Sequence, residues 1–162
     1  MSLSQRPAVD WQRPGYEAST DPARIDRAGV LAALRATYWA ENLTADVLDR
    51  ATENSICIGV YEVPSGRQVG FARAVSDLAT FAWLADVVVL PAFRGQGLGH
   101  WMTACLLSHP DLQGLRRLQL ATRDAHAMYR RFGFEDPAPG RILTRSGTLP
   151  APDPDEFACP SG

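Results

Sequence analysis

Three glycines spaced two residues apart, Gly95, Gly97 and Gly99, stand between an apolar run and a helical pattern. The preceding residues 83–90 are apolar apart from one aspartate, and the run ends at Pro91, which cannot donate to a sheet ladder. After the glycines, apolar residues recur at helical spacing. Glycines let backbone N–H groups approach a ligand closely, and a helix N-terminus favours an anion. The pattern therefore predicts a strand, a glycine turn and a helix that bind a phosphate or diphosphate.

Two well-known phosphate-binding loops do not fit this turn. A Walker-type loop needs a lysine after its last glycine, but the chain contains no lysine and all 16 of its basic residues are arginine. The dinucleotide fingerprint needs a third glycine where His100 stands. It also expects an acidic residue about 20 positions further on, where this chain has Gln119. The remaining pattern is Arg94, two residues, Gly97, one residue and Gly99.

This pattern resembles the signature of the GNAT superfamily of acetyl-CoA-dependent N-acetyltransferases, which follows the fourth strand of that fold. A later block also resembles the family, in which a strand leads to a helix with an alanine, a tyrosine four residues on, and then Gly-Phe. The matching residues are Ala125, Tyr129, Gly133 and Phe134. One position departs from the pattern, because Thr122 stands where relatives often have asparagine. The resemblance covers roughly residues 20–145 and is weakest in the N-terminal third.

The resemblance implies acetyl-CoA as the acyl donor. Backbone groups of Val87 and Val89 would bind its pantetheine arm, although this run is equally typical of buried core. The diphosphate would be bound at the turn, by Arg94, Gly95, Gln96, Gly97, Leu98, Gly99 and His100. No metal is expected, since the three histidines lack ligand spacing and the three cysteines form no C-x-x-C motif.

Two side chains are candidates for proton transfer. The resemblance makes Tyr129 the general acid for the departing thiolate; the alternative is a core tyrosine on a short helix. Asp86 is the candidate base that accepts the excess proton of an amine. Its alternative role is a salt bridge, with Arg73 on the neighbouring strand as the partner. Glu41 is the rival base.

The acceptor would lie beside the loop between the first two helices. Tyr38, Trp39 and Glu41 occupy that loop and are the candidate acceptor-binding residues, although aromatic residues in a small domain are usually core. The sequence leaves open whether the acceptor is a small-molecule amine or a peptide N-terminus.

Capping and periodicity predict an α+β fold. Asp26 and Thr44 are the expected N-caps of two helices. Alternating residues from Ile56 onward and a Pro-Ser-Gly turn predict a hairpin that continues into the strand before the glycine turn. The helix after the turn then crosses over to a parallel strand at residues 118–122, and Phe134 and residues 142–144 are candidate final strands. With the resemblance, this predicts a mixed, mostly antiparallel sheet of about six to seven strands flanked by about four helices, with strands four and five splayed.

Length and composition suit one domain at residues 15–146. Residues 1–14 are expected to be a flexible arm and residues 147–162 a disordered, proline-rich tail. A net charge of −2 gives no general attraction to nucleic acid or an anionic membrane. No secretory pattern is visible, so a cytoplasmic protein is expected. Because many relatives are dimers, the resemblance also allows a homodimer.

These features favour an N-acetyltransferase that transfers acetyl directly to an amine in a ternary complex. A covalent route through Cys57 or Cys105 is disfavoured, because neither lies in a motif with a nearby base. The alternative is a non-catalytic acyl-CoA-binding sensor or interaction module that keeps the cleft without turnover.

Overall fold

Six strands and four α-helices make up the part of the chain that our computed structural model describes, residues 3–147. The strands are β1 Asp10–Arg13, β2 Tyr16–Ser19, β3 Ile56–Glu62, β4 Gln68–Ser76, β5 Phe81–Val89 and β6 Arg117–Gln119. The helices are α1 Arg27–Arg35, α2 Ala45–Glu53, α3 Leu98–Leu107 and α4 His126–Arg130. Short 3₁₀ turns occupy Leu3–Gln5, Pro22–Arg24, Pro91–Phe93 and Pro110–Leu112.

The strands form one sheet in chain order, β1-β2-β3-β4-β5-β6. The first five are antiparallel neighbours, whereas β6 runs parallel to β5 after the α3 crossover. The α+β prediction and its mostly antiparallel sheet are confirmed. This meander brings the β1–β2 turn, the β3–β4 turn and the C-terminal end of β5 to the same end of the sheet.

Helices cover both faces of the sheet, and each face has its own apolar core. On one face, Leu98, Met102 and Leu106 of α3 pack against Ile58 and Val60 of β3. On the other face, residues of α1 and α2 pack against alternate residues of the strands; the buried members are Val30, Leu34, Leu48, Cys57, Phe71 and Val88. Side chains of β3 alternate between the two faces, so Ile56, Ile58 and Val60 pack into one core and Cys57 into the other. Every residue from Ile56 to Tyr61 is buried.

The two predicted helix caps differ. Asp26 is the N-cap of α1, and its Oδ1 accepts a hydrogen bond from the Gly29 N–H at 3.0 Å. Thr44 is the N-cap residue of α2, but its hydroxyl donates to the Asp46 carboxylate instead of accepting from the helix backbone. Only Asp26 therefore satisfies an otherwise unpaired helix donor.

The expectation of a loose arm at residues 1–14 is corrected by β1. Asp10–Arg13 pairs with the whole of β2, and Trp11 packs against the core. The polar strand was missed because only every second residue turns inward, and a four-residue segment gives too short a pattern to read.

Two further predictions, both in the C-terminal part of the chain, are corrected. The parallel strand expected at residues 118–122 ends at Gln119, because the chain then turns away from β5. Phe134 and residues 142–144 form no strand, and Leu143 is 94% exposed. Apart from Gly147, the predicted tail lies outside the described residues.

Candidate active site

A cleft opens where β5 and β6 part. Their parallel pairing stops at Trp83 and Gln119, so residues 84–89 of β5 have no partner on that side among the described strands. This is the predicted splay, although the two strands are the fifth and sixth of this chain. The opening forms a cavity of about 500 Å³. It is lined by Tyr38, Trp39, residues 83–87, residues 120–125 and Tyr129.

Tyr129 reaches this cavity from α4. Its side chain is 8% exposed, and its ring contacts Phe134 edge to face with 6.0 Å between centroids. Burial raises the pKa of the phenol above its usual value, so it stays protonated at neutral pH. No residue in the described part of the chain hydrogen-bonds its hydroxyl. The structure thus leaves Tyr129 a neutral O–H group on the cavity wall.

Asp86 also lines this cavity, on a bulge in β5. Phe71 and Arg73 of β4 are two positions apart, but their partners on β5, Val88 and Ala85, are three positions apart. The extra residue is accommodated by Asp86, whose φ of +55° is in the left-handed region. The bulge turns this carboxylate out of the ladder and towards the cleft.

The Asp86 carboxylate has two partners. Arg73 Nε donates to Oδ2 at 2.6 Å, which is the salt bridge that the sequence analysis gave as the alternative to a catalytic role. Trp39 Nε1 donates to Oδ1 at a longer 3.3 Å. Because Oδ1 accepts only this longer hydrogen bond from the described residues, Asp86 can keep its ion pair with Arg73 through Oδ2 and still accept a proton at Oδ1.

The three acceptor-binding candidates lie together in the α1–α2 loop. Tyr38 and Trp39 are 48% and 47% exposed, and their rings meet edge to face at 4.9 Å. Glu41 lines a second cavity of about 480 Å³, which is bounded by this loop, α2, Arg73 and Asp86. Asp86 therefore borders both cavities.

Sequence reasoning missed one positively charged side chain on the wall of the first cavity. The Arg123 guanidinium, from the loop after β6, stands 3.7 Å above the Tyr38 ring. This contact joins the two loops on either side of the cleft through a cation–π interaction. The sequence offered no signal for it, since the partners belong to separate loops.

The glycine turn has the conformation that the sequence predicts. Gly95 and Gly97 have φ values of +78° and +75°, and α3 begins at Leu98. Leu98 is 1% exposed and packs into the core, so its side chain does not reach the open turn. Arg94 fixes the start of the turn, because its Nε donates to the Val89 carbonyl at 3.0 Å.

Backbone groups of β5 face the open side of the cleft. The Leu90 N–H donates to Val69 O on β4. Because the backbone groups of successive strand residues point to opposite sides, those of Val88 point towards β4 and those of Val89 point away from it. The Arg94 contact with Val89 O agrees with this direction. Val87 lies in the bulge and lines the cavity. The N–H of Val89 therefore faces the open side, where β5 has no strand partner.

His100 is less accessible than the sequence analysis expects. Its ring stacks on Phe132 with 4.5 Å between centroids, and Nδ1 is buried without a hydrogen-bond partner. Only the remaining nitrogen, Nε2, and the backbone N–H are left for a ligand at the turn.

Two kinds of feature are not found in the described part of the chain. Within residues 3–147 there is no cluster of histidine, cysteine or acidic side chains arranged to hold a metal ion. None of the helices in that part of the chain has the length and apolar character needed to cross a bilayer.

Comparison with known proteins identifies relatives across most of the chain. The family model described as "Acetyltransferase (GNAT) domain" matches residues 53–136. The chain is 36% identical over 149 residues to a "Putative acetyltransferase" of Gibberella zeae, covering 78% of this chain and 83% of that protein.

Solved structures agree. A GNAT-family "putative acetyltransferase" from Xanthomonas campestris pv. campestris has a TM-score of 0.79 and 42% identity, over 84% of this chain and 96% of that one. A "predicted acetyltransferase with acetyl-CoA" from Clostridium acetobutylicum has a TM-score of 0.58 at 12% identity, over 86% and 95% of the two chains. The second likeness concerns the fold alone.

Proposed function

The chain belongs to the GNAT acetyltransferase family, and from this premise we propose that it transfers acetyl from acetyl-CoA directly to an amine in a ternary complex. The main support is the cleft, where the partnerless edge of β5 faces Tyr129 with Asp86 on the same cavity wall. A thioester bound along that edge would lie between a proton donor and a proton acceptor. A cytoplasmic location and a homodimer remain parts of this proposal that rest on the sequence.

The donor would bind through main-chain groups. The open turn at Gly95 and Gly97 precedes α3, so unpaired N–H groups and the helix dipole favour the diphosphate there. From the turn, the pantetheine arm would follow Val89 and Val87 back along β5 and extend the sheet as a strand does. This path ends at the Asp86 bulge, which is where the acceptor cavities begin.

The reaction then needs one bond to form and one to break. The amine nitrogen attacks the thioester carbonyl carbon, the C–N bond forms, and the C–S bond breaks. The departing sulfur takes the proton of the Tyr129 hydroxyl, and the nitrogen gives up its excess proton to Asp86 Oδ1, directly or through water. That proton then returns through solvent to the Tyr129 phenolate, so both groups are restored for the next turnover. A backbone N–H on the open edge of β5 would stabilise the oxygen anion.

Direct transfer is favoured over an acyl-enzyme by the state of the thiols. Cys57 and Cys105 are buried, and burial raises their pKa values to about 12 and about 11. Since the thiolate is the nucleophile, both thiols are unreactive at neutral pH. Cys159 lies outside the described residues.

The acceptor would enter through the α1–α2 loop. Exposed Tyr38 and Trp39 offer ring faces, and Glu41 offers a negative charge that a protonated amine would approach. A small-molecule amine and a peptide N-terminus both fit an opening bounded by a loop.

Tyr129→Phe tests the proposal most directly. CoA release would be measured with acetyl-CoA and a panel of small amines and peptides. We expect kcat to fall about 100-fold while acetyl-CoA affinity stays within twofold, because only the transferable proton is removed. Tyr61→Phe is the matched control, since Tyr61 is another buried tyrosine without a hydroxyl partner, on β3.

Two results would contradict the proposal. An unchanged kcat in Tyr129→Phe would remove Tyr129 from the mechanism. Acetyl-CoA binding without turnover of any amine in the panel would favour the sensor alternative.

A further inference from the structure

The turn of the β1–β2 hairpin contacts the glycine turn. Arg13 Nη2 donates to Gln96 O at 3.3 Å, and the Tyr16 hydroxyl donates to Gln96 Oε1 at 2.8 Å. Two residues near the N-terminus therefore hold one residue of the predicted diphosphate loop. Because Oε1 already has a donor, the side-chain N–H groups of Gln96 are left for another partner.

The Arg13 guanidinium is placed next to the open space of that turn. It lies 5.6 Å from the centre of the Trp101 ring and 5.9 Å from that of Tyr16. Its Nη1 is 3.9 Å from the position that a Cβ would take at Gly97. No carboxylate among residues 3–147 forms an ion pair with Arg13. The turn therefore has a fixed and uncompensated positive charge beside it.

We propose that Arg13 is a phosphate-recognition residue of the acetyl-CoA site, donating from its free N–H groups to the diphosphate bound at Gly95–His100. This inference rests on the proposed function. A guanidinium and backbone N–H groups are complementary donors to phosphate oxygens, since one supplies charge and the other fixes direction. The two aromatic rings hold the guanidinium in place, so little ordering is needed when the anion binds.

The donor site would then include a strand that lies outside the residues matched by the family model. Arg13 lies on β1, whereas the matched residues are 53–136. The hairpin would then have two roles, as the edge of the sheet and as one wall of the diphosphate site.

Calorimetric titration with CoA, at low and at high salt, tests this role. Arg13→Gln removes the charge but keeps a long side chain that can cover Trp101. We expect the Kd for CoA to rise at least tenfold at low salt, as charge-assisted hydrogen bonds to an anion would predict. The salt dependence of binding should also become weaker, because one screened charge pair is gone. Arg13→Lys should recover part of the affinity.

Arg50→Gln provides the control. Arg50 is an exposed arginine on α2, so the variant has the same net charge as Arg13→Gln without a change near the turn. Its Kd for CoA should stay within twofold of the wild-type value.

The outcomes separate the inference from the proposed function. If wild-type protein binds no CoA, the proposed function fails. If wild type binds and Arg13→Gln binds equally well, only the inference fails. An equal loss of affinity at both salt concentrations, with a lowered Tm, would mean that Arg13 merely holds the turn, and would also overturn it.

Discussion

Trp39 donates its indole N–H to Oδ1 of Asp86 at 3.3 Å, across 47 positions of sequence. The donor lies in the exposed α1–α2 loop and the acceptor on the β5 bulge. The loop that borders the acceptor cavity is therefore tied to the carboxylate proposed as the base. An acceptor that needs Oδ1 must share or replace this hydrogen bond.

Replacing Trp39 by phenylalanine should alter acceptor kinetics more than donor kinetics. A smaller aromatic ring remains and the N–H is lost, so a hydrogen bond of about 1 kcal/mol disappears. We expect kcat/KM for the amine to change about fivefold while KM for acetyl-CoA stays constant, as measured by steady-state kinetics with each substrate varied. Trp83→Phe, on the same cavity wall, controls for loss of ring size. An altered acetyl-CoA KM with unchanged amine kinetics would contradict this role of the loop.

The Arg73–Asp86 ion pair lets the catalytic and structural roles be separated. Both side chains are largely buried, at 19% and 14% exposed, so losing either partner should cost about 1–3 kcal/mol of stability. Only Asp86→Asn removes the proton acceptor, and its kcat/KM should fall about 100-fold. Arg73→Gln keeps the carboxylate and should keep at least a tenth of the activity.

Urea unfolding measures the loss of stability, and steady-state kinetics with the amine varied measure the loss of activity. Equal losses of activity in both variants would assign Asp86 a purely structural role.

Gly97 and Gly114 form a matched pair for testing the diphosphate loop. Both have φ of +75°, and a Cβ atom at either position would meet at most one atom within 4 Å. Aspartate at either position should therefore cost a similar amount, about 1 kcal/mol, for the left-handed backbone. Only Gly97→Asp places a negative charge where the anion would bind. Gly114 precedes β6 at the opposite end of the sheet.

Calorimetry should show CoA binding abolished or weakened at least 100-fold in Gly97→Asp and unchanged in Gly114→Asp. A Gly97→Asp variant that is folded and binds CoA normally would remove the diphosphate from this turn.

Sequence could predict the parts of the site that are contiguous. The strand, glycine turn and helix follow from local spacing, and the Tyr129 block follows from a second motif. That Tyr129 and Asp86 line one cavity follows from the order of the strands, once the two strands beside the cleft are expected to splay. By contrast, Arg13 and Gln96 are 83 positions apart, and nothing local marks their contact.

The missed elements have physical reasons in common. The sequence predicts an arm at β1 because this segment is short and polar, and its pairing with β2 supplies what local propensity lacks. Residues 142–144 have strand-forming side chains, yet the chain does not return to the sheet and leaves Leu143 exposed. In both cases tertiary context decided against the local pattern.

Alkaline pH should destabilise the protein through its buried thiols. Burial raises the pKa of Cys57 from 9.0 to about 12 and that of Cys105 from 9.0 to about 11. Below pH 9 each thiol is protonated in both the folded and the unfolded chain, so its contribution is fully present. Above pH 9 the unfolded chain releases the proton and the folded chain does not. Stability is therefore lost as pH rises, by at most about 1.4 kcal/mol per pH unit for each thiol.

Single substitutions separate the two thiols. Cys57→Ala should flatten the decline in the free energy of unfolding from pH 9 up to about pH 12, whereas Cys105→Ala should flatten it only up to about pH 11. Guanidinium unfolding at half-unit pH steps measures the slopes, and slopes are unaffected by the constant cost of each truncated side chain. A decline that is identical in Cys57→Ala and wild type would mean that this thiol ionises in the folded protein. It would then be available as a nucleophile, and the case for direct transfer would weaken.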